Sequence, residues 1–295
     1  MTVSILLQQL LNGLTLGCIY GLIALGYTLI FGVMRLIFFA QGDLCMIGAF
    51  GAFGAISLFP NGRAFALPIA LAGATAAAVA VGVLSQRVAM RPLRSAPRTK
   101  QLIASIGVSI VLQNAVLVWV SSQTLVFPTV LPGANWLIDG VTVNPSTPFI
   151  VVGAAILMTA LEWTLRRTRL GLHLRAVSES PETAELDGIS VDGAMTWTFI
   201  IGSILAACAG VMLCIHDGVA KYDMGFLPGI KGFTAAIVGG FGRPSGAMLG
   251  GILLGIAEGL AAGYISSIYK DLIAFVLLVV VLVARPEGLL PRVSQ

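Results

Sequence analysis

Long apolar stretches follow one another along the chain, at roughly 5–34, 36–58, 65–86, 102–122, 148–165, 195–216, 226–264 and 271–285. Short polar segments separate them. Most stretches are near the length a helix needs to cross about 30 Å of hydrocarbon, and their weak amphipathicity argues against the core helices of a soluble protein. The pattern predicts an all-α fold, a polytopic transmembrane helical bundle with about eight membrane segments. Region 226–264 decides whether the full crossings number seven or nine. Its middle reads GGFGRPSGAMLGG, where Pro244 and the glycines break a helix beside Arg243. Near 240–246 this allows either two full helices joined by a turn or a re-entrant pair of half-helices inside the membrane.

The polar segments carry an orientation. Twelve of the seventeen Lys and Arg residues lie at Arg35, in 87–100, in 166–175 and at Arg285 and Arg292. Stretch 123–147 holds Asp139 and no basic residue. Basic loops stay in the cytoplasm, so 87–100 and 166–193 belong inside and 123–147 outside. An external N-terminus, an internal C-terminus and an odd number of crossings satisfy all three.

Composition sharpens this picture. Only 10% of the residues are charged and 57% are hydrophobic, against about 25% charged in soluble domains. Residues 1–295 are expected to form one transmembrane domain without room for a separate soluble enzyme. The net charge of +4 sits beside apolar spans rather than on a soluble fold, which argues against nucleic acid as a partner. Cys18, Cys45, Cys208 and Cys214 fall in apolar segments without CxxC or metal-ligand spacing, as packing residues do. The N-terminus has no basic n-region or clear cleavage site, so 5–34 is expected to be a retained span.

Small residues recur every fourth position at Gly13, Gly17 and Gly21 and at Gly251, Gly255, Gly259 and Gly263. That spacing makes one close-packing helix face, either within the bundle or against a second subunit. Ionisable and polar residues inside apolar runs are costly and therefore informative. Gln41 and Asp43, the pair Gln113 and Asn114, and Glu258 are the candidates for a translocation path. For Asp43 a charge at a helix end near the interface is the competing reading, and for Glu258 a structural bond to a neighbouring helix.

Loop 166–193 contains a predicted short amphipathic helix. Pro181 begins it, Glu182 and Glu185 favour its positive end, and Gly188 ends it. Ala184, Leu186 and Ile189 would offer apolar contacts to a partner. His173 and His216 have no nucleophile or ligand set beside them. The chain has no GxSxG, HExxH, Rossmann fingerprint or GxxxxGK[ST] phosphate loop. It is therefore not an enzyme by these routes, no cofactor or metal is expected, and any ATP-driven work needs another subunit.

NGLTLGCIYGLIALGYTLIFGV followed by FAQGDLCMIGAF resembles the first two spans of the branched-chain amino-acid ABC transporter permease family of the LivH type. RLGLHLRAVSESPETAELDGISV running into TFIIGSILAACAGVM resembles its cytoplasmic coupling loop and following helix. GFLPGIKGFTAAIVGGFGRPSGAMLGGILLGIAEGL and KDLIAFVLLVVVLVARPEGLL match the family pattern in order. The resemblance implies an importer of amino acids or similar small polar solutes in the bacterial inner membrane. Its implied partners are a second, homologous permease subunit, two cytoplasmic ATPase subunits and a periplasmic solute-binding protein. It implies the ATPase contact at Gly171, Arg175, Ala176, Glu182, Ala184 and Gly188.

One departure stands out. The family usually reads Asn-Phe-Ala-His-Gly and an acid where this chain has Phe38-Phe39-Ala40-Gln41-Gly42-Asp43. If that cluster touches solute, the cargo differs from leucine, isoleucine or valine. The alternatives at this stage are a urea or amide permease and a stand-alone carrier coupled to H⁺ or Na⁺ through Asp43 or Glu258.

Overall fold

A computed structural model describes residues 2–58, 65–94, 96–120, 123–128, 136–138, 141–264, 266, 269–284 and 288. Asp139, Arg285 and Arg292 of the charge pattern lie outside these. The elements run α1 (Thr2–Met34), α2 (Gln41–Leu58), α3 (Ala66–Ser85), α4 (Arg98–Trp119), β1 (Leu125–Val126), β2 (Trp136–Ile138), β3 (Val141–Val143) and α5 (Ser146–Arg167). They continue with α6 (Arg169–Glu179), α7 (Pro181–Leu186), α8 (Val191–Asp217), β4 (Val219–Ala220), α9 (Phe226–Gly239), α10 (Pro244–Tyr264) and α11 (Lys270–Ala284). Among the described residues seven helices are long and apolar enough to span a membrane, and α9 is a shorter apolar one. The polytopic helical bundle expected from the hydropathy pattern is what the chain forms.

Helix α1 is its axis. It is apolar around its whole circumference, which suits a protein interior and lipid alike, and from Gly17 to Ile30 every residue is buried by the rest of the chain. Helix α10 runs antiparallel along it. Gly13 faces Gly255, Gly17 faces Gly251 and Ile252, and Gly259 faces Gly13 and Gln9. A methyl group on Gly13 would lie 2.7 Å from the Gly255 carbonyl oxygen, and one on Gly17 would lie 2.8 Å from Ile252 Cα. The two glycine stripes thus meet each other within one chain. They are covered, and the reading that places them against a second subunit fails for that reason.

The second span starts later than its apolar pattern suggests. Arg35 adopts a left-handed backbone (φ 53°), the chain doubles back through residues 36–40, and α2 begins only at Gln41. Gly26 of α1, roughly two turns above that helix's end, leaves the space that the Gln41 amide fills. Beside it Gly42 lies against Gly225 and Gly229, where a methyl group would stand 2.6 Å from Gly229 Cα. The start of α2 is therefore inside the bundle.

Region 226–264 takes a form between its two predicted readings. Helix α9 has 14 residues, about 21 Å, and begins level with Gly42. Helix α10 has 21, about 31 Å and enough to cross. The break at Gly240–Arg243 uses two left-handed glycines, Gly240 (φ 99°) and Gly242 (φ 87°). Phe241 between them packs on Phe31 with ring centroids 4.5 Å apart, which sets the turn near the Arg35 end.

The arginine clusters gather at that same end. Arg35 donates to the Ser178 carbonyl at 2.9 Å, Arg91 pairs with Asp192 at 2.6 Å, and Arg94 pairs with Glu185 at 3.1 Å. At the opposite end lie two small antiparallel ladders that hydropathy does not reveal. β1 pairs with β4 and β2 with β3, and the Gln8 amide brackets the Thr142 backbone at 2.9 and 3.1 Å.

The glycine contact predicts that Gly17→Val forces α1 and α10 apart. Such overpacking should lower stability by about 1–3 kcal/mol or more. A methyl group on Gly107 meets nothing within 4 Å, so Gly107→Ala should melt like the parent in detergent. Equal melting of Gly17→Val and Gly107→Ala would show that the approach is not held by the missing side chains.

Candidate functional site

Between α5 and α8 the chain forms a compact element at the arginine end. The Thr168 hydroxyl caps α6 by accepting from the Gly171 amide at 3.2 Å. Gly171 must lack a side chain there, since a Cβ would collide with the Leu165 backbone. Arg175 Nε donates to the Gly171 carbonyl at 3.3 Å. The predicted short helix runs Pro181–Leu186 with Pro181 in its first turn and Ser180 as its cap, accepting from the Thr183 amide at 3.3 Å. Gly188 follows in the left-handed conformation (φ 78°), and its amide donates to Glu185 at 3.1 Å.

Burial sorts the family-matched residues of this element. Ala184 is 2% exposed and joins Leu174, Val177, Val191 and Met195 in a small core, with Ala176 and Ile189 packed against it. Ala184 therefore helps hold the element onto the bundle, while Ile189 is half-buried and lines a cavity with His173 and Trp197. The other residues of this six-residue helix are exposed, Glu182 and Leu186 among them, the latter 88% exposed.

The intramembrane candidates separate into three places. Asp43 sits in the first turn of α2, buried, and its Oδ1 accepts from Gln113 Nε2 of α4 at 2.9 Å. It is a helix-end carboxylate buried within the bundle. Gln113 also donates to Ser109 at 3.3 Å, while Gln41 donates to the Gly202 carbonyl of α8 at 2.9 Å. Asn114 is elsewhere: it stands exposed on α4 and returns its amide to the Ile110 carbonyl at 2.8 Å.

Glu258 belongs to a third group, whose centre is Lys231. This lysine of α9 is 5% exposed and its Nζ lies 2.6 Å from Glu258 Oε1 of α10 and 2.6 Å from Asp271 Oδ1 of α11. It also donates to the Tyr20 hydroxyl of α1 at 3.3 Å. One ammonium thus ties four helices. Sequence reading singled out Glu258 and passed over Lys231, a lone cation between glycines in GFLPGIKGFTAA that a hydropathy average conceals. The group lines a cavity of about 460 Å³ with Asp217, Lys221, Asp223 and Lys270. Among the described residues no three His, Cys, Asp or Glu side chains converge as metal ligands do.

Residues 9–282 match the family described as branched-chain amino acid transport system, permease component. The chain belongs to that family. The permease is 43% identical to the high-affinity branched-chain amino acid transport system permease protein BraD of Pseudomonas aeruginosa, over 97% of this chain and 96% of that one. It is 40% identical to LivH of Escherichia coli strain K12, again over 97% and 96%. Its fold is shared with a protein described as a metal-chelate type ABC transporter in an inward-facing conformation, with a TM-score of 0.51 at 17% identity over 94% of this chain and 85% of that one. PsaBC from Streptococcus pneumoniae matches with a TM-score of 0.50 at 13% identity, over 92% and 90%.

The departure at residues 38–43 has a local packing account in this permease. Phe38 is fully buried against Phe199 with centroids 5.0 Å apart, and Gln41 fills the space beside Gly26 and Gly202. Phe38 ties the segment before α2 to α8 and Gln41 ties the start of α2 to it, and neither lines a described cavity.

The buried ion group predicts a large effect from removing its cation. Lys231→Met leaves the buried Glu258 carboxyl without its cation partner, at a cost of about 3–5 kcal/mol. Lys231→Met combined with Glu258→Gln should recover more than half of that loss. Thermal melting of the detergent-purified permease measures both, and identical melting of the single and double variants would refute the pairing as a stabilising contact.

Proposed function

We propose that this chain is the membrane-spanning permease subunit of an ABC importer for branched-chain or closely related amino acids. Its partners in this reading are a second permease subunit, two cytoplasmic ATPases and a periplasmic solute-binding protein, in the bacterial inner membrane. The N-terminus lies outside and the arginine end faces the cytoplasm, in keeping with the positive-inside rule. The observation that carries the reading is the match along nearly the whole length to proteins named as branched-chain amino acid permeases.

The mechanism follows from where the α6–α7 element sits. Closure of the ATPases on ATP pushes on its exposed residues Glu182, Leu186 and Gly188. Because Ala184 anchors that short helix to the core around Val177 and Met195, the displacement passes into α8. Arg35 and Arg94 add links to α1 and to the 87–100 segment. The helices then tilt between outward- and inward-open arrangements. The packing role of Phe38 and Gln41 supports keeping branched-chain amino acids as cargo despite the altered motif. The relatives' names as permease proteins of a transport system speak against a stand-alone ion-coupled carrier, and so does the pairing of Glu258 with Lys231.

Reconstitution with the cognate ATPases and binding protein in liposomes tests this. Leucine uptake should require internal ATP, and uptake of urea or short amides instead would reassign the cargo. Glu182→Arg changes an exposed charge, and Gly188→Pro imposes a φ near −65° where the backbone needs +78°. Each should insert normally yet lose uptake by about tenfold or more, equivalent to at least 1.4 kcal/mol. Undiminished uptake at equal membrane abundance would remove the coupling role from this element.

A further inference from the structure

We infer that the cavity around Lys231 binds an α-amino acid as its zwitterion, with the ammonium group held at the floor and the carboxylate at the rim. The inference rests on the reading of this chain as an amino acid permease and gives the chain a solute site of its own. At about 460 Å³ the cavity falls within the size range of small-molecule sites. It descends from Asp217 and Lys221, in the stretch between α8 and α9, to Tyr20 and Glu258. Tyr20 stands near the middle of the span Ser4–Met34, so the floor is deep in the bundle.

The floor is short of donors. Two carboxyl groups, Glu258 and Asp271, share the Lys231 ammonium at 2.6 Å each. Its contact with the Tyr20 hydroxyl at 3.3 Å engages the last of the three N–H groups that a lysine has. Glu258 Oε2 is left without a hydrogen-bond partner among the described residues, in a side chain only 2% exposed. Such a buried acceptor calls for a further donor. Asp271, with its side chain 38% exposed, is the member of the pair that an incoming group meets first. A second ammonium supplies both the hydrogen bonds and the positive charge that this floor lacks.

The rim has the opposite balance. Asp217 is paired with His216 at 2.8 Å. Of the other charged groups there, Lys221 and Lys270 face one carboxylate, Asp223; all three are exposed, and none has an ion pair among the described residues. A carboxylate meets cations at the rim and an ammonium meets carboxyl groups at the floor, so a solute bearing both complements the cavity from end to end. A solute with one charge alone leaves half of this lining unanswered. Leu16, Leu213, Met224 and Leu227 complete the wall, and they favour an aliphatic side chain on the amino acid.

Equilibrium binding of radiolabelled leucine to the detergent-purified full chain tests the site, with leucinamide and isocaproate as competitors. Leucine should bind saturably, and each competitor, lacking one of its two charges, should bind about tenfold more weakly. Lys221→Gln and Lys270→Gln should each weaken leucine about fivefold and leave leucinamide, which has no carboxylate, unchanged. Asp271→Asn should weaken leucine and leucinamide alike and spare isocaproate. Lys100→Gln, at an exposed lysine outside the cavity, should bind leucine like the parent. Should Asp271→Asn fail to fold, the two exposed lysines decide. No saturable binding, competitors as tight as leucine, or equal losses of leucine and leucinamide in the lysine variants would overturn the site. Leucine uptake by the complete parent transporter in liposomes separates this result from the functional reading. Uptake without binding to the chain removes the site alone, whereas binding without uptake removes the importer reading and leaves the site standing.

Discussion

Helices in lipid gain nothing from hiding apolar surface from one another, because acyl chains are as apolar as leucine. What brings α10 onto α1 is backbone-to-backbone contact along Gly13, Gly17, Gly251, Gly255 and Gly259, which dispersion and weak Cα–H···O contacts reward only at short range. The register of that contact has consequences along its whole length. It places Glu258 beside α9, where Lys231 waits for it. It also leaves the far side of α1 open to α8 and to the start of α2, where Gly26 admits the Gln41 amide. A shift of one turn along this seam would misalign all of these partners at once.

Polar groups then specify what the glycines only permit. Gln41 links α2 to α8, Asp43 links α2 to α4 through Gln113, and Lys231 links α1, α9, α10 and α11. Each of these groups would be expensive alone in hydrocarbon. Paired, they choose one arrangement among the many that interchangeable apolar surfaces would accept. The inward turn of Ala184 belongs to the same scheme, since it fixes a six-residue helix to the bundle by one buried methyl group and leaves its acidic side chains outside.

Sequence periodicity and punctuation sufficed where the cause of structure is local. The apolar runs mark the helices, Pro181 starts α7, and Gly188 closes it, all within a few residues of the signals themselves. The late start of α2 was hidden, because Leu36, Ile37, Phe38 and Phe39 are good helix material, and only the left-handed turn at Arg35 diverts them. Lys231 was invisible for a different reason. A single ammonium hardly moves a hydropathy average, and its partners Glu258 and Asp271 become neighbours only after three helices pack. The glycine stripes announced a close contact but not its owner, since four-residue spacing reads alike within a chain and between chains. The same limit applied to Ala184, whose direction depends on which side of a short helix meets α6 and α8.

Helix α9 covers only about 21 Å of a bilayer whose oily layer is about 30 Å thick. Chain from Gly218 to Gly225 traverses the remaining depth without helix, beside the charged cavity of Asp217, Lys221 and Asp223. Peptide groups outside a helix need water or protein around them at that level. Here the cavity walls and the packed ends of α8, α9 and α10 supply that surrounding, so a short helix is tolerated where a full crossing would otherwise be needed.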